Sequence, residues 1–260
     1  MGGEPQVVRE LKRDELGRVE LLDGPCGLLV RRVASGGRLP FSGAVARALA
    51  ARERRALARL EGVRGVPRLA ERADYARAPA LDGSVPHEGQ VLLRTWIEGR
   101  PLWAADELAR DFFERLAELV GELHARGVCH NDLHKEPNVL VASDGTPAVV
   151  DFQLASVHPR RGRGFEVRCA EDRRHVEKHA RRYRVATGIE SAARAERGPR
   201  RSLTARLWMR CGKPLYNRFV RGFLTSETGE SRRDPRGPWP RWTAPLGSPV
   251  REVRPREVRQ

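Results

Sequence analysis

Residues 123–156 read LHARGVCHNDLHKEPNVLVASDGTPAVVDFQLAS. The stretch opens on the end of an amphipathic helix, whose apolar face reaches Leu123 and which Gly127 stops. A polar loop follows, beginning His130-Asn131-Asp132-Leu133. Val139-Leu140-Val141 and Ala148-Val149-Val150 are then separated by Ser143-Asp144-Gly145-Thr146, the pattern of a β-hairpin. Such a hairpin brings the two carboxylates that flank it, Asp132 and Asp151, to one end of a strand pair.

Two motifs in this stretch carry a family resemblance. His130-Asn131-Asp132-Leu133 followed by Asn138, and Asp151-Phe152-Gln153 after the hairpin, resemble the H-R-D-L-x-x-x-N loop and the D-F-G motif of the protein-kinase superfamily. The resemblance implies ATP and Mg2+ as cofactors. Asp132 would orient an acceptor hydroxyl and take its proton. Asn138 and Asp151 would hold magnesium, a hard cation suited to carboxylate and amide oxygens. Lys135 would contact the transferred phosphate, and His130 would brace the loop. There are two departures. Asn138 lies six residues after Asp132 where the motif has five, and Gln153 stands where the motif has glycine.

Working outward, residues 6–33 read as three short strands with turns at Asp14–Gly17 and Asp23-Gly24-Pro25. Ser42 to Glu61 reads as a helix closed by Gly62. GVPRLAE and QVLLRTWI read as two further strands, Gly99-Arg100-Pro101 as a break, and Asp106 to Arg126 as a long helix. A kinase pairs a strand lysine with a helix glutamate. Glu53 fits the glutamate, but the third strand has no lysine. Arg31 is the first candidate for the cation, with Arg32 one register away and Lys12 on the first strand as alternatives. Only Gly17 stands where a glycine-rich phosphate loop is expected.

The fold class expected is α+β. In full it is a two-lobed protein-kinase-like fold with a small N-terminal antiparallel sheet plus one helix (residues 1–98) and a reduced, mainly helical C-terminal lobe (residues 99–226). Residues 227–260 carry six prolines among scattered arginines and read as a disordered tail. No A-P-E sequence follows the second motif. The chain is therefore similar to the reduced bacterial kinases near the RIO-type serine/threonine kinases and the lipopolysaccharide-core sugar kinases. That resemblance implies transfer of the ATP γ-phosphate to a hydroxyl, foremost that of serine or threonine on a protein. A lipopolysaccharide-core sugar at the inner membrane face is the alternative acceptor. A pseudokinase binding module is the competing class, supported by the missing strand lysine and the thin glycine loop.

Composition bounds these readings. A chain of 260 residues with 40% apolar residues can build a substantial core. No apolar run approaches the roughly 18 residues of a membrane span. The N-terminus lacks a signal-peptide layout, which predicts a cytoplasmic protein. Its net charge of +15 is concentrated in one region, with −1 over residues 1–156, +13 over 157–226 and +3 over 227–260. Such asymmetry predicts peripheral contact with an anionic membrane surface; nucleic acid is the least supported partner, since no stacking platform or known module is present. Only four of 49 cations are lysines, a bias that points to a GC-rich genome. The four cysteines are widely scattered with no CxxC, so reduced thiols are expected. His175 and His179, spaced i, i+4, read as one face of a helix over 171–183. Leu215 to Leu224 reads as a last amphipathic helix, and Trp239 and Trp242 as incidental tail residues.

Overall fold

A computed structural model describes residues 4–188, 239–244 and 246. In chain order the elements are β1 (Gln6–Asp14), β2 (Gly17–Asp23), β3 (Leu29–Val33), α1 (Ser42–Arg59), β4 (Leu69–Ala70), α2 (Ala73–Arg77), β5 (Val91–Thr95), β6 (Gly99–Pro101), β7 (Glu107–Ala109), α3 (Phe112–Ala125), β8 (Val128–Cys129), β9 (Val139–Ala142), β10 (Pro147–Val149), β11 (Ser156–Val157), α4 (Arg163–Ala186) and β12 (Arg241–Thr243). The chain is thus a mixed α and β protein with few helices among the described residues.

The first five strands form one antiparallel sheet in the order β1-β2-β3-β5-β4. Short turns dictate the first three neighbours, because antiparallel strands joined by two to five residues pair directly. Gly17 closes the first turn at φ 125°, and a Cβ there would lie 2.0 Å from the Val33 carbonyl oxygen. Only glycine lets β2 begin so close to β3. The Ala, Arg, Leu and Glu composition of α1 favours helix, and its buried Ala56 and Leu57 continue through Leu60 into the main core.

That core is assembled around α3. Phe112, Phe113, Leu116, Leu119, Val120 and Leu123 recur at helical spacing and are buried. They pack with Ala56 and Leu57 from α1 and Leu60 just after it, with Leu133, Val139 and Val149 around the 130–150 hairpin, and with Val176 and Tyr183 of α4. Each fully buried leucine or phenylalanine here contributes about 2 kcal/mol. Gly127, at φ 75°, ends α3, and its carbonyl accepts from His158 N at 2.8 Å, which aligns β8 with β11. No described helix is long and apolar enough to cross a membrane.

The expected boundaries change in three places. The helix read from Asp106 starts at Phe112, and Glu107–Ala109 is instead a strand. The reason lies far along the chain. Strand β12 pairs with β7 in parallel, with Arg241 N donating to Asp106 O and Arg110 N donating to Thr243 O. The tail read as disordered therefore contains an ordered strap at its described positions. Trp242 packs on Phe113 and donates its indole N–H to Thr187 Oγ1 at 2.7 Å, while Trp239 stacks edge-on against Tyr183. Of the strand read at GVPRLAE, only Leu69–Ala70 pairs. The amphipathic stretch 215–224 and the rest of the tail lie outside the described residues.

Candidate active site

The 130–138 loop is suspended from α4. Asp172, fully buried on that helix, accepts from the main-chain N–H of His130 at 2.8 Å and of Asn131 at 2.9 Å. Asn131 sits at φ 66°, a left-handed conformation tolerated better by asparagine than by most residues. Its amide group donates to Leu154 O at 2.8 Å and to Ser156 Oγ at 3.0 Å, which ties the loop to the segment after the hairpin. His130 is a brace: its Nε2 lies 3.0 Å from Val150 O, and its ring packs edge-on against Phe152.

Asp132 is 3% exposed, yet its carboxylate is surrounded by donors. His134 Nδ1 lies 3.1 Å from Oδ1, and Lys135 Nζ lies 3.0 Å from Oδ2. Asn138 Nδ2 donates to Asp132 Oδ2 and to its main-chain oxygen, both at 3.0 Å. Burial opposes the charge of Asp132, but the His134 hydrogen bond and the Lys135 charge outweigh it and hold the carboxyl below its ordinary value. The extra loop residue is absorbed in a single 3-10 turn, Glu136–Asn138, with Pro137 inside it. Glu136 is buried beneath this turn, where it pairs with Arg182 and accepts from Tyr183 Oη at 2.8 Å.

The hairpin places Asp151. Val139 pairs with Val149, and Val150 N donates to Asn138 O at 3.0 Å, so Asn138 and Asp151 leave adjacent strands side by side. Asp151 is left-handed at φ 65°, and Gln153 Nε2 donates to its Oδ1 at 2.7 Å. This bond gives the glutamine a use that glycine at the same position lacks. Burial works against an ionised Asp151, but the nearby Arg32 and Arg94 charges, the Gln153 amide and the Lys12 charge prevail and keep the carboxyl low.

The strand cations resolve by side-chain alternation. Successive residues of β3 face opposite sides of the sheet. Arg31, fully buried, points away from Asp151: its Nε lies 2.8 Å from Glu20 Oε2, and its NH1 donates to the carbonyls of Tyr75, Ala76 and Ala78. It does not meet Glu53, which corrects the pairing expected from sequence. Arg32 does, with Nε 3.1 Å from Glu53 Oε2 and NH2 3.9 Å from Asp151 Oδ1. Glu53 is fully buried and also receives Arg94 NH1 from β5 at 2.9 Å. Lys12 pairs with Asp14 at 2.8 Å, and Gly17 serves the packing of β2 against β3.

Asp132, Lys135, Asn138 and Asp151 thus gather at one end of the hairpin, with Arg32 and Glu53 reaching it from the sheet and α1; Arg31 is enclosed with Glu20 instead. Sequence reasoning missed Asp172, Glu136 and Arg94, and read Gln153 only as a departure from the motif. Asp172 had left a signal, since it occupies the apolar stripe Phe165, Cys169, Asp172, Val176, His179, Tyr183 of α4, where a charge is out of place. Chemically, the arrangement offers an ionised carboxylate flanked by a lysine, two hard oxygen donors side by side, and an arginine held by the buried Glu53.

No family model matches the chain. It is 34% identical over 115 residues to the "Probable SapB synthase" of Streptomyces coelicolor, covering 40% of this chain and 12% of that protein. Over 52 residues it is 46% identical to "CBL-interacting protein kinase 19" of Oryza sativa subsp. japonica, covering 20% of this chain and 10% of that protein. Over 56 residues it is 38% identical to "CBL-interacting serine/threonine-protein kinase 15" of Arabidopsis thaliana, covering 22% and 13%. The matched part of the chain therefore spans about an eighth or less of these curated relatives. What the comparisons establish is a short local similarity to protein kinases.

Proposed function

We propose that the chain is an ATP-dependent phosphotransferase of a two-lobed, protein-kinase-like kind, acting on a serine or threonine hydroxyl. The observation that carries this reading is Arg32, held between Glu53 of α1 and Asp151 at the end of the hairpin. A cation in that position suits the phosphates of a nucleotide lying between the sheet and the hairpin. The short similarity to serine/threonine kinases supports the same reading. In it, residues 1–98 carry Arg32 and Glu53, and residues 99–226 carry the groups that meet the acceptor.

The donor set fits magnesium. Asp151 is kept ionised, and the Asn138 amide nitrogen is occupied by Asp132, which turns its carbonyl oxygen the other way. These two oxygens would hold the ion, which when bound offsets charge on the phosphates. Asp132 accepts the proton of the incoming hydroxyl as its oxygen bonds to the γ-phosphorus and the bond to the departing ADP breaks. Lys135, 3.0 Å from Asp132, balances charge on the phosphoryl group in transit.

The test is turnover of ATP by the purified chain with and without magnesium, beside Asp132→Asn. Wild type should hydrolyse or transfer the γ-phosphate only with the metal. Asp132→Asn should lose about a hundredfold or more in turnover while binding ATP normally. A wild type that binds ATP without any turnover makes this a binding module and overturns the proposal.

A further inference from the structure

Three side chains with no part in that chemistry meet behind the 130–138 loop. His124 lies in the last turn of α3, Cys129 ends β8, and Cys169 lies two turns into α4. One ligand atom from each lies within 4.8 Å of the others, and all three residues are buried. The two sulfurs are 3.6 Å apart. Two thiolates on one tetrahedral zinc, at about 2.3 Å from the metal, stand about 3.8 Å from each other. The thiols are therefore already at nearly the separation that a shared ion requires.

The imidazole supplies the second observation. His124 Nε2 lies 3.2 Å from Asp172 Oδ2, while its Nδ1 is buried without a hydrogen-bond partner among the described residues. A buried ring nitrogen is costly to leave unpaired. With Nε2 taken by a carboxylate, Nδ1 is the nitrogen left to bind something else. A histidine with one nitrogen on a carboxylate and the other on a metal is how proteins orient metal-bound imidazoles.

We propose that His124, Cys129 and Cys169 bind one divalent metal ion of the zinc class, with Asp172 fixing the orientation of His124. Two sulfurs and one imidazole select a borderline-soft ion over magnesium or calcium. Each thiol gives up its proton as its sulfur binds, so one ion entering releases two protons to solvent. The fourth position of the tetrahedron falls to water.

A Cys129–Cys169 disulfide is the rival use of the same pair. It needs an oxidant with access to an ionised thiol. Here both thiols are buried, out of reach of an oxidant in solvent. A disulfide also leaves His124 Nδ1 unexplained. An ion at this point would tie α3, β8 and α4 together where Asp172 also holds the N–H groups of His130 and Asn131. The proposal is independent of the phosphotransfer reading, because it concerns the base of the loop and not its reacting face.

The experiment is metal analysis of the full chain, purified without chelator, followed by titration of chelator-treated protein with Co2+. About one zinc per chain is expected. Cobalt should bring a near-ultraviolet thiolate-to-metal absorption and intense visible bands. Cys129→Ser and Cys169→Ser should each lose both signals, and Cys26→Ser, at an exposed thiol, should keep them. Since these readouts come first from the unaltered chain, they do not depend on the variants folding. Wild type with less than about a tenth of an ion per chain and no cobalt–thiolate band overturns the proposal. A cobalt–thiolate band that survives in both variants overturns it as well, as does a Cys129–Cys169 disulfide found by peptide mapping of the native protein.

Discussion

Arg31 and Arg32 show how much one position along a strand decides. Both are arginines on β3, yet Arg31 is enclosed with Glu20 and three carbonyls, and Arg32 faces Glu53 and Asp151. The two substitutions should fail in different ways. Arg31→Ala leaves the buried Glu20 with Arg18 alone and should cost about 3 kcal/mol in urea unfolding, with the Michaelis constant for ATP unchanged. Arg32→Ala should raise that constant about tenfold or more. Glu53→Ala should give a related loss that does not add to it, since the two residues share one contact. If Arg31→Ala impairs ATP use in protein that is still folded, the placement of Arg32 is wrong.

At the scale of the element, α4 carries a pH-sensitive stripe. Burial, reinforced by the charge of Arg174, pushes His175 down to about 3; burial also lowers His179. Around His175 stand His134, Arg174, His179, Glu171 and Asp172, and only the acids favour its protonation. The unfolded chain takes up these protons near the ordinary histidine value and the folded chain does not. Stability contributed by the neutral histidine is therefore full above about pH 6.5 and falls as the pH drops toward about 3. Between pH 7 and 5 the loss should be on the order of 1–2 kcal/mol, followed by thermal unfolding across that range. His175→Gln should flatten the slope. The depressed carboxyls of Asp132 and Asp151 add their own loss only from the ordinary carboxylate range downward, so between pH 7 and 5 they contribute no slope. Strand β12 is the other element with a clear test. Trp242→Ala removes the contact with Phe113 and the Thr187 hydrogen bond, and should destabilise the fold by about 2 kcal/mol without changing the Michaelis constant for ATP. An unchanged unfolding midpoint would mean that the strap does not hold.

For the whole molecule, the uneven charge is the dominant feature. The excess of +13 lies in residues 157–226, beside a nearly neutral first 156 residues. Part of it is carried by the described helix α4, whose arginines include Arg168, Arg173, Arg174 and Arg181. Near an anionic bilayer each such cation contributes on the order of 1 kcal/mol. Weak binding to anionic liposomes is expected, lost at high salt and absent for neutral liposomes, as read by cosedimentation. Equal binding to both kinds of vesicle, or none at low salt, would leave the arginines as a reflection of codon usage.

What the amino-acid sequence determined by itself is local. Turn chemistry at Asp14–Gly17 and Ser143–Thr146, the apolar period of α3 and the polar loop after Gly127 all depend on neighbours within a few residues. So does the position of Asn138 and Asp151 at one end of a hairpin, because a two-stranded pair with a short turn has one register that its hydrogen bonds favour. Tertiary structure decided everything that needed a partner distant in the chain. Which face of β3 meets α1 depends on how the sheet packs, so alternation could offer Arg31 or Arg32 but could not choose. Asp172 reaches the loop across 42 residues, and β12 finds β7 across more than a hundred. Cys129 and Cys169, forty residues apart and read as scattered, meet because α3, β8 and α4 converge on one core. Contacts of this kind leave no periodic trace in the chain, since their free energy comes from surfaces that exist only once the helices and strands have packed.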